Sequence, residues 1–185
     1  MHHIPNIISV IRVILVLPIA FQLHHEAWAS AFVLIFIAGV SDALDGFLAR
    51  IYHWQSQLGS ILDPLADKLL LIVILIILAN KGVVPYWLLA LVVGRDAVIL
   101  VGAIIYRWLT KDLTISPLLS SKVNTALQIF FVLTLMFHLS IMALPESLIT
   151  GLEIGVAITT LLSGFLYVKC WASYTMMFVQ KKTST

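Results

Sequence analysis

The apolar segments of this sequence constrain its fold more than any other feature. Six stretches of mostly apolar residues follow one another, and about 20 such residues are enough for a helix to cross a bilayer. They cover about residues 6–23, 28–50, 61–79, 84–108, 122–143 and 147–171. Hydrophobic residues make up 61% of the chain and charged residues 11%, whereas a soluble domain has roughly 25% charged residues. We therefore predict an all-α, polytopic membrane protein with six transmembrane helices.

The connections between these segments are too short to hold a soluble domain, so residues 1–185 are predicted to form a single transmembrane domain. One cysteine, Cys170, excludes a disulfide within the chain. The net charge of +2 gives no indication of nucleic-acid binding, and we expect none. The first residues contain no basic region, so we expect neither a cleavable signal nor a transit peptide.

Lysine and arginine predict the orientation in the membrane. Connections 24–26 and 144–146 contain neither residue, and connection 80–83 contains only Lys81. The other side holds many basic residues and is therefore predicted to be cytoplasmic, together with both termini and the loops 51–60 and 109–121. We expect a bacterial inner membrane protein. The basic residues are Arg50, Arg107, Lys111, Lys122, Lys169, Lys181 and Lys182.

Four aspartates flank the loop 51–60. Asp42 and Asp45 are three residues apart, and Asp63 and Asp67 are four apart, so each pair lies on one face of a helix. If the two helices are antiparallel neighbours, the pairs can converge. Four carboxylates without a nearby His or Cys form a ligand set suited to Mg²⁺ or Mn²⁺. Two ions about 3.5–4 Å apart would suit displacement at a phosphoryl group.

Small and basic residues accompany the aspartates. Gly46 and Ala49 give one helix face small side chains, which would let a nucleotide approach the backbone. Gly59 lets the chain turn before the next helix. Arg50 can donate two hydrogen bonds to a phosphate. Intramembrane carboxylates also serve proton or cation transport, and small residues also serve helix packing, so a transporter is an alternative.

This pattern resembles the signature of the CDP-alcohol phosphatidyltransferases. It runs Asp42-Ala-Leu-Asp45-Gly46-Phe-Leu-Ala49-Arg50, eight residues, Gly59, three residues, Asp63, three residues and Asp67. The resemblance implies six transmembrane helices, a homodimer, a cytoplasmic cavity, and transfer of a phosphatidyl group from CDP-diacylglycerol to an alcohol with release of CMP. It implies metal ligation by Asp42, Asp45 and Asp63. Asp67 would be the general base, and a metal contact of Asp67 is left open.

The first apolar segment carries a second resemblance. Asn6, Ser9 and Arg12 are similar to the amino-terminal pattern of the family, in which an Asn, a hydroxyl residue and an Arg follow at three-residue steps. These positions share a helix face. By resemblance, Asn6 and Ser9 would line the nucleotide side of the cavity and Arg12 its phosphate side. The alternative is an interfacial helix in which Arg12 reaches the membrane surface.

Two basic residues bear on the acceptor. The segments around Arg95 and Lys122 resemble family members that act on glycerol-type acceptors, the phosphatidylglycerophosphate synthases and the single-motif cardiolipin synthases. The former are expected to carry further basic residues where Ala103 and Asn124 stand. Glycerol 3-phosphate carries a charge near −2 and needs more cationic groups than phosphatidylglycerol, which carries −1. We therefore expect phosphatidylglycerol as acceptor, with glycerol 3-phosphate as the alternative.

Overall fold

The structure is a computed structural model. It describes the backbone of residues 4–51, 59–110 and 119–183 and the side chains of residues 14–41, 68–104 and 119–170. Within these ranges the chain forms helices and no strand, which confirms the all-α prediction. The six helices are α1 (Ile4–His24), α2 (Trp28–Ile51), α3 (Gly59–Asn80), α4 (Tyr86–Thr110), α5 (Leu119–Ser140) and α6 (Glu146–Thr183).

Three of the helices contain segments long and apolar enough to cross a membrane: Tyr86–Ile104, Leu119–Ser140 and Glu146–Cys170. The described parts of the other three contribute the shorter apolar stretches Ile14–His24, Trp28–Ser41 and Lys68–Asn80. The protein is therefore an integral membrane protein. That all six helices cross the bilayer stays a prediction.

Helices α5 and α6 differ most from the predicted segments. Helix α5 begins three residues before the predicted segment, because Ser120 and Ser121 are helical although they are not apolar. It ends at Ser140, and the Leu144 N–H then donates to Nδ1 of His138 at 2.8 Å. Helix α6 continues to Thr183, well beyond the predicted end at residue 171. Its 38 residues extend about 57 Å. The helix is therefore longer than a hydrocarbon core of about 30 Å is thick.

The chain divides into two compact units. Unit 1 comprises Met1–Pro85 and Val132–Pro145, and unit 2 comprises Tyr86–Phe131 and Glu146–Thr185. In unit 1, helix α1 packs against both α2 and α3. The buried side chains there are apolar and recur at helical spacing. They include Ile19, Leu23, Ala31, Ile35, Ala38, Leu71, Ile74, Leu75 and Leu78.

The carboxyl ends of α1 and α3 have the same cap. The Ala27 N–H bonds to the Gln22 carbonyl and the Val83 N–H to the Leu78 carbonyl, so each bond closes a Schellman motif. Such a cap places one residue after the helix in the left-handed region. This residue is Glu26 after α1 (φ 59°) and Gly82 after α3 (φ 73°).

An ion pair joins these two helix ends. Lys81 Nζ lies 2.8 Å from Glu26 Oε1. The hydrogen bond from Lys81 and its charge hold the pKa of the Glu26 carboxyl below its usual value. Because Glu26 follows α1 and Lys81 follows α3, the two helices end on the same side of unit 1. Helix α2 begins at Trp28, shortly after Glu26, and therefore runs back towards the opposite side of unit 1.

Unit 2 differs from unit 1 in its buried faces, which hold polar as well as apolar side chains. Its buried faces carry all the buried polar side chains of the described chain, and they lie on three helices: Arg95 on α4, Asn124 and Gln128 on α5, and Thr160 and Ser163 on α6. Its exposed faces are apolar, as on a surface that faces lipid. Exposed residues include Val98, Val101 and Ile104 on α4 and Ile154, Ile158, Leu161, Leu162 and Phe165 on α6.

Candidate functional site

The helix directions of unit 1 place three predicted groups of site residues at one end. Helices α1 and α3 finish at the Lys81–Glu26 pair, so the first turns of both lie at the opposite end. The last turns of α2 lie there too, because α2 starts next to this pair and runs back along α1. These backbone segments carry Asn6, Ser9 and Arg12 on α1, Asp42, Asp45, Gly46, Ala49 and Arg50 on α2, and Gly59, Asp63 and Asp67 on α3.

The side chains of these eleven residues lie outside the described part of the chain, so their assigned roles stay predictions. Among the described side chains, no group of three or more His, Cys, Asp or Glu residues could hold a metal ion. The aspartates nevertheless fit a hard divalent cation by their donor chemistry, since all four offer carboxylate oxygens. Their two helices also pack against a common neighbour, α1, so the backbone is compatible with one shared site.

Arg95 is the centre of a buried polar cluster in unit 2. Its side chain is 4% exposed, and Nη1 lies 2.5 Å from Asp96 Oδ1. Its Nη2 donates to Ser121 Oγ at 2.7 Å and to Ser163 Oγ at 2.5 Å. The Tyr167 ring centroid lies 5.9 Å from Arg95 Cζ, within range of a cation–π contact. One guanidinium thus connects α4, α5 and α6, and we call these five residues the Arg95 cluster.

Lys122, the second basic residue predicted to contact the acceptor, follows Ser121 directly in the first turn of α5 and is exposed. Both predicted contacts with an acceptor phosphate therefore belong to unit 2, one buried and one at the surface. The structure does not test either role. It does show that Nη1 and Nη2 of Arg95 are already hydrogen-bonded within the protein.

Asn124 belongs to a second polar contact, between α5 and α6. It is fully buried, and its Oδ1 accepts hydrogen bonds from Thr159 Oγ1 and Thr160 Oγ1, both at 2.9 Å. Gln128 Nε2 donates to Thr160 Oγ1 at 3.4 Å. The amide at position 124 therefore joins two helices. A lysine in its place would have to bury a charge among these threonines, at a high free-energy cost.

Among the described side chains of unit 2, three polar atoms are buried without a hydrogen-bond partner: Arg95 Nε, Asn124 Nδ2 and Ser120 Oγ. An unpaired buried donor is costly, and such groups usually bind water or a ligand. Nε is therefore the guanidinium donor of Arg95 that has no hydrogen-bond partner among the described residues.

Sequence reasoning missed the polar residues of α6. Thr160, Ser163 and Tyr167 recur at helical spacing on its buried face, and this spacing is visible in the sequence. It was missed because each residue alone is ordinary in a membrane helix. Only the contacts with Arg95 and Asn124, which are distant in sequence, give them a role.

We expect Arg95→Met to reduce the free energy of unfolding by about 3–5 kcal/mol, the usual cost of removing one partner of a buried ion pair. The variant would leave the Asp96 carboxylate without its guanidinium and would remove the hydrogen bonds to Ser121 and Ser163. Reversible unfolding in mixed micelles measures the change.

Lys81→Met is the matched control for this variant, because it also replaces the cation of an ion pair by methionine. The Lys81–Glu26 pair is more exposed, with side chains 25% and 59% accessible, and solvent screens its charges. We expect a much smaller loss of stability than for Arg95→Met. Equal losses would show that the Arg95 cluster contributes no more to stability than a surface pair.

Comparisons with known proteins agree with the sequence pattern. The family model for CDP-alcohol phosphatidyltransferases matches residues 2–177. A putative cardiolipin synthase of Mycobacterium bovis is 36% identical over 108 residues, which cover 57% of this chain and 50% of the relative. The human CMP-forming cardiolipin synthase is 34% identical over 148 residues, covering 70% of this chain and 48% of the relative.

A chloroplastic relative from rice has a different acceptor in its name. This CDP-diacylglycerol–glycerol-3-phosphate 3-phosphatidyltransferase is 34% identical over 147 residues, covering 70% of this chain and 45% of the relative. The matched part is about half the length of each of these three relatives. Relatives named as cardiolipin synthases and a relative named for glycerol 3-phosphate thus match this chain at similar identity.

Proposed function

Because the chain belongs to the CDP-alcohol phosphatidyltransferase family, we propose that it synthesises phospholipid by transferring the phosphatidyl group of CDP-diacylglycerol to a glycerol-type hydroxyl, with release of CMP. The observation that carries the proposal is the placement of both Asp pairs at one end of unit 1, on the last turns of α2 and the first turns of α3. The full spacing of the signature lies on these two segments.

In this proposal the four aspartates have two roles, metal binding and proton transfer. Asp42, Asp45 and Asp63 would hold two divalent cations, Mg²⁺ or Mn²⁺, and Asp67 could contact one of them. When bound, the cations supply positive charge that offsets the negative charge of the pyrophosphate. Asp67 takes the proton of the acceptor hydroxyl. The acceptor oxygen then forms a bond to the phosphatidyl phosphorus, the bond from phosphorus to the CMP oxygen breaks, and CMP leaves.

The other predicted residues bind the activated lipid. Gly46 and Ala49 leave room for the nucleotide beside α2, and Gly59 permits the chain to turn into α3. Asn6 and Ser9 contact the nucleotide. Arg50, at the end of α2, donates hydrogen bonds to a phosphate of CDP-diacylglycerol.

Phosphatidylglycerol is the acceptor that we propose, and the product is then cardiolipin. Arg95 and Lys122 of unit 2 are proposed to bind the acceptor phosphate, which carries one negative charge as a diester. Arg12 of unit 1 is also proposed to bind a phosphate. Asn124 supports this choice, since it is buried against Thr159 and Thr160 and offers no charge to a dianion. Glycerol 3-phosphate is the second candidate, supported by the relative from rice.

We also propose the oligomeric state, the membrane and the orientation of the enzyme. It functions as a homodimer in the bacterial inner membrane, with both termini and the active site on the cytoplasmic side, where CDP-activated substrates are made. The distribution of basic residues supports this orientation. The Lys81–Glu26 pair then lies on the outer side.

The acceptor proposal predicts the ratio of the kcat/KM values for the two acceptors. Purified protein given CDP-diacylglycerol and either acceptor should have a higher kcat/KM for phosphatidylglycerol than for glycerol 3-phosphate, since a dianion would need further basic residues where Ala103 and Asn124 stand. Initial rates of CMP release measure both values. Lys122→Ala should raise the apparent KM for phosphatidylglycerol more than that for CDP-diacylglycerol. A ratio in favour of glycerol 3-phosphate would overturn the acceptor assignment and leave the phosphatidyl transfer intact.

A further inference from the structure

The Arg95 cluster connects a buried residue of α6 to the first turn of α5. Ser163 is fully buried, and its Oγ accepts a hydrogen bond from Arg95 Nη2. The same nitrogen donates to Ser121 Oγ. Gly164 on α6 also faces Arg95, since a Cβ there would lie 3.5 Å from Arg95 Cγ, an ordinary van der Waals contact. Two hydroxyls on different helices thus share one donor.

The bond to Ser121 acts where α5 needs support. Helix α5 begins at Leu119, which is 76% exposed. The first N–H groups of a helix have no intrahelical partner, and helix ends fray. Ser121 lies in this first turn, and Lys122 is the next residue. A fixed Ser121 therefore also fixes the backbone from which the Lys122 side chain extends.

We propose that Ser163 is a positioning residue for acceptor binding, which acts through Arg95 and Ser121 to hold the first turn of α5 and with it Lys122. Ser163 itself touches no substrate. This inference rests on the proposed function for the role of Lys122. The hydrogen-bonded connection from Ser163 through Arg95 to Ser121, which we call the clamp, lies within unit 2 and does not depend on that function. The charge on Arg95 strengthens both hydrogen bonds, because ionised donors form stronger bonds than neutral ones.

The kinetic test uses Ser163→Ala in the full chain, with CDP-diacylglycerol and phosphatidylglycerol as substrates. We expect the apparent KM for phosphatidylglycerol to rise about three- to tenfold, less than the full loss of one hydrogen bond to a charged group, because Ser163 acts on Lys122 only through Arg95 and Ser121. The KM for CDP-diacylglycerol should stay within about twofold. Equal changes in the two KM values, or no change in either, would overturn the proposal.

Thr160→Val is the matched control, because it deletes a buried hydroxyl on the same helix that bonds to α5. Its partners are Asn124 and Gln128 rather than the Arg95 cluster. It should destabilise the α5–α6 contact without the selective rise in acceptor KM. A rise as large as in Ser163→Ala would show that any loosening of α5 and α6 suffices, which would contradict a specific role for Ser163.

A double-mutant cycle identifies the residue through which Ser163 acts. In a Lys122→Ala background, Ser163→Ala should raise the acceptor KM little further, because the side chain to be positioned is gone. Independent, multiplying effects would overturn the proposal. If Ser163→Ala does not fold, Ser121→Ala removes the same connection from the α5 side and carries the same expectations.

Hydrogen exchange separates this inference from the proposed function. In lipid nanodiscs, Ser163→Ala should speed amide exchange in the first turn of α5, and Thr160→Val should not. Unchanged exchange in Ser163→Ala would refute the clamp even in an active enzyme. Faster exchange in a protein that releases no CMP with any acceptor would support the clamp and refute the proposed function.

Discussion

Asp45→Asn and Asp63→Asn are each expected to reduce CMP release below detection. Each change exchanges a charged carboxylate for a neutral amide in the proposed metal site, so the affinity for Mg²⁺ or Mn²⁺ should fall together with turnover. CMP release from CDP-diacylglycerol and Mn²⁺ binding followed by electron paramagnetic resonance measure the two effects. Excess chelator should have the same effect on the unmodified protein.

Glu153→Gln is the control for these variants. It makes the same exchange of carboxyl for amide in a membrane helix, but Glu153 lies on α6 and outside the Asp pattern. We expect the variant to retain turnover and metal dependence. Full activity of the unmodified protein in excess chelator would rule out the proposed metal site, whatever the variants do.

The second large effect is expected for Asp67→Asn. If Asp67 takes the proton of the acceptor hydroxyl, turnover should fall by about 10²- to 10⁴-fold, the usual contribution of a general base. The binding of CDP-diacylglycerol should survive better than in Asp45→Asn, because three carboxylates remain for the metal. Equilibrium binding of the nucleotide lipid distinguishes the two variants. An equal loss of binding in both would make Asp67 chiefly a metal ligand.

The first four helices could be predicted closely from the sequence. Their bounds differ from the apolar segments by at most two residues, because a helix that must satisfy its backbone in lipid extends over the whole apolar stretch. The end of α6 could not be predicted in this way. Hydropathy marks the part within the bilayer, and the helix continues past Trp171 to Thr183, where the sequence is less apolar.

The pattern that predicts the candidate site is local in the sequence, and the roles of its residues stay predictions. The pairs Asp42–Asp45 and Asp63–Asp67 follow helical spacing, and the family match covers them. The neighbours of Arg95 were harder to predict. Adjacent residues do not usually share a helix face, yet Asp96 pairs with Arg95, and Ser163 lies 68 positions away in the sequence. Such contacts depend on how α4 packs against α6, which periodicity alone does not determine.

Asn124 shows how one position supports two readings. In the sequence, its lack of charge indicates an acceptor site with fewer basic residues. In the structure the same residue is fully buried and bonds to Thr159 and Thr160. Its identity therefore also satisfies the packing of α5 against α6. The choice between acceptors consequently depends more on Arg95 and Lys122 than on Asn124.

The most direct test of the proposed reaction follows the phosphorus atom of the phosphatidyl group. Purified protein in lipid vesicles is given CDP-diacylglycerol labelled at that phosphate, together with phosphatidylglycerol and Mg²⁺. We expect unlabelled CMP and labelled lipid product in equal amounts, and neither when acceptor or metal is omitted. Cation or proton flux across the vesicle membrane with no CMP formed would contradict the proposed reaction and would favour a transporter.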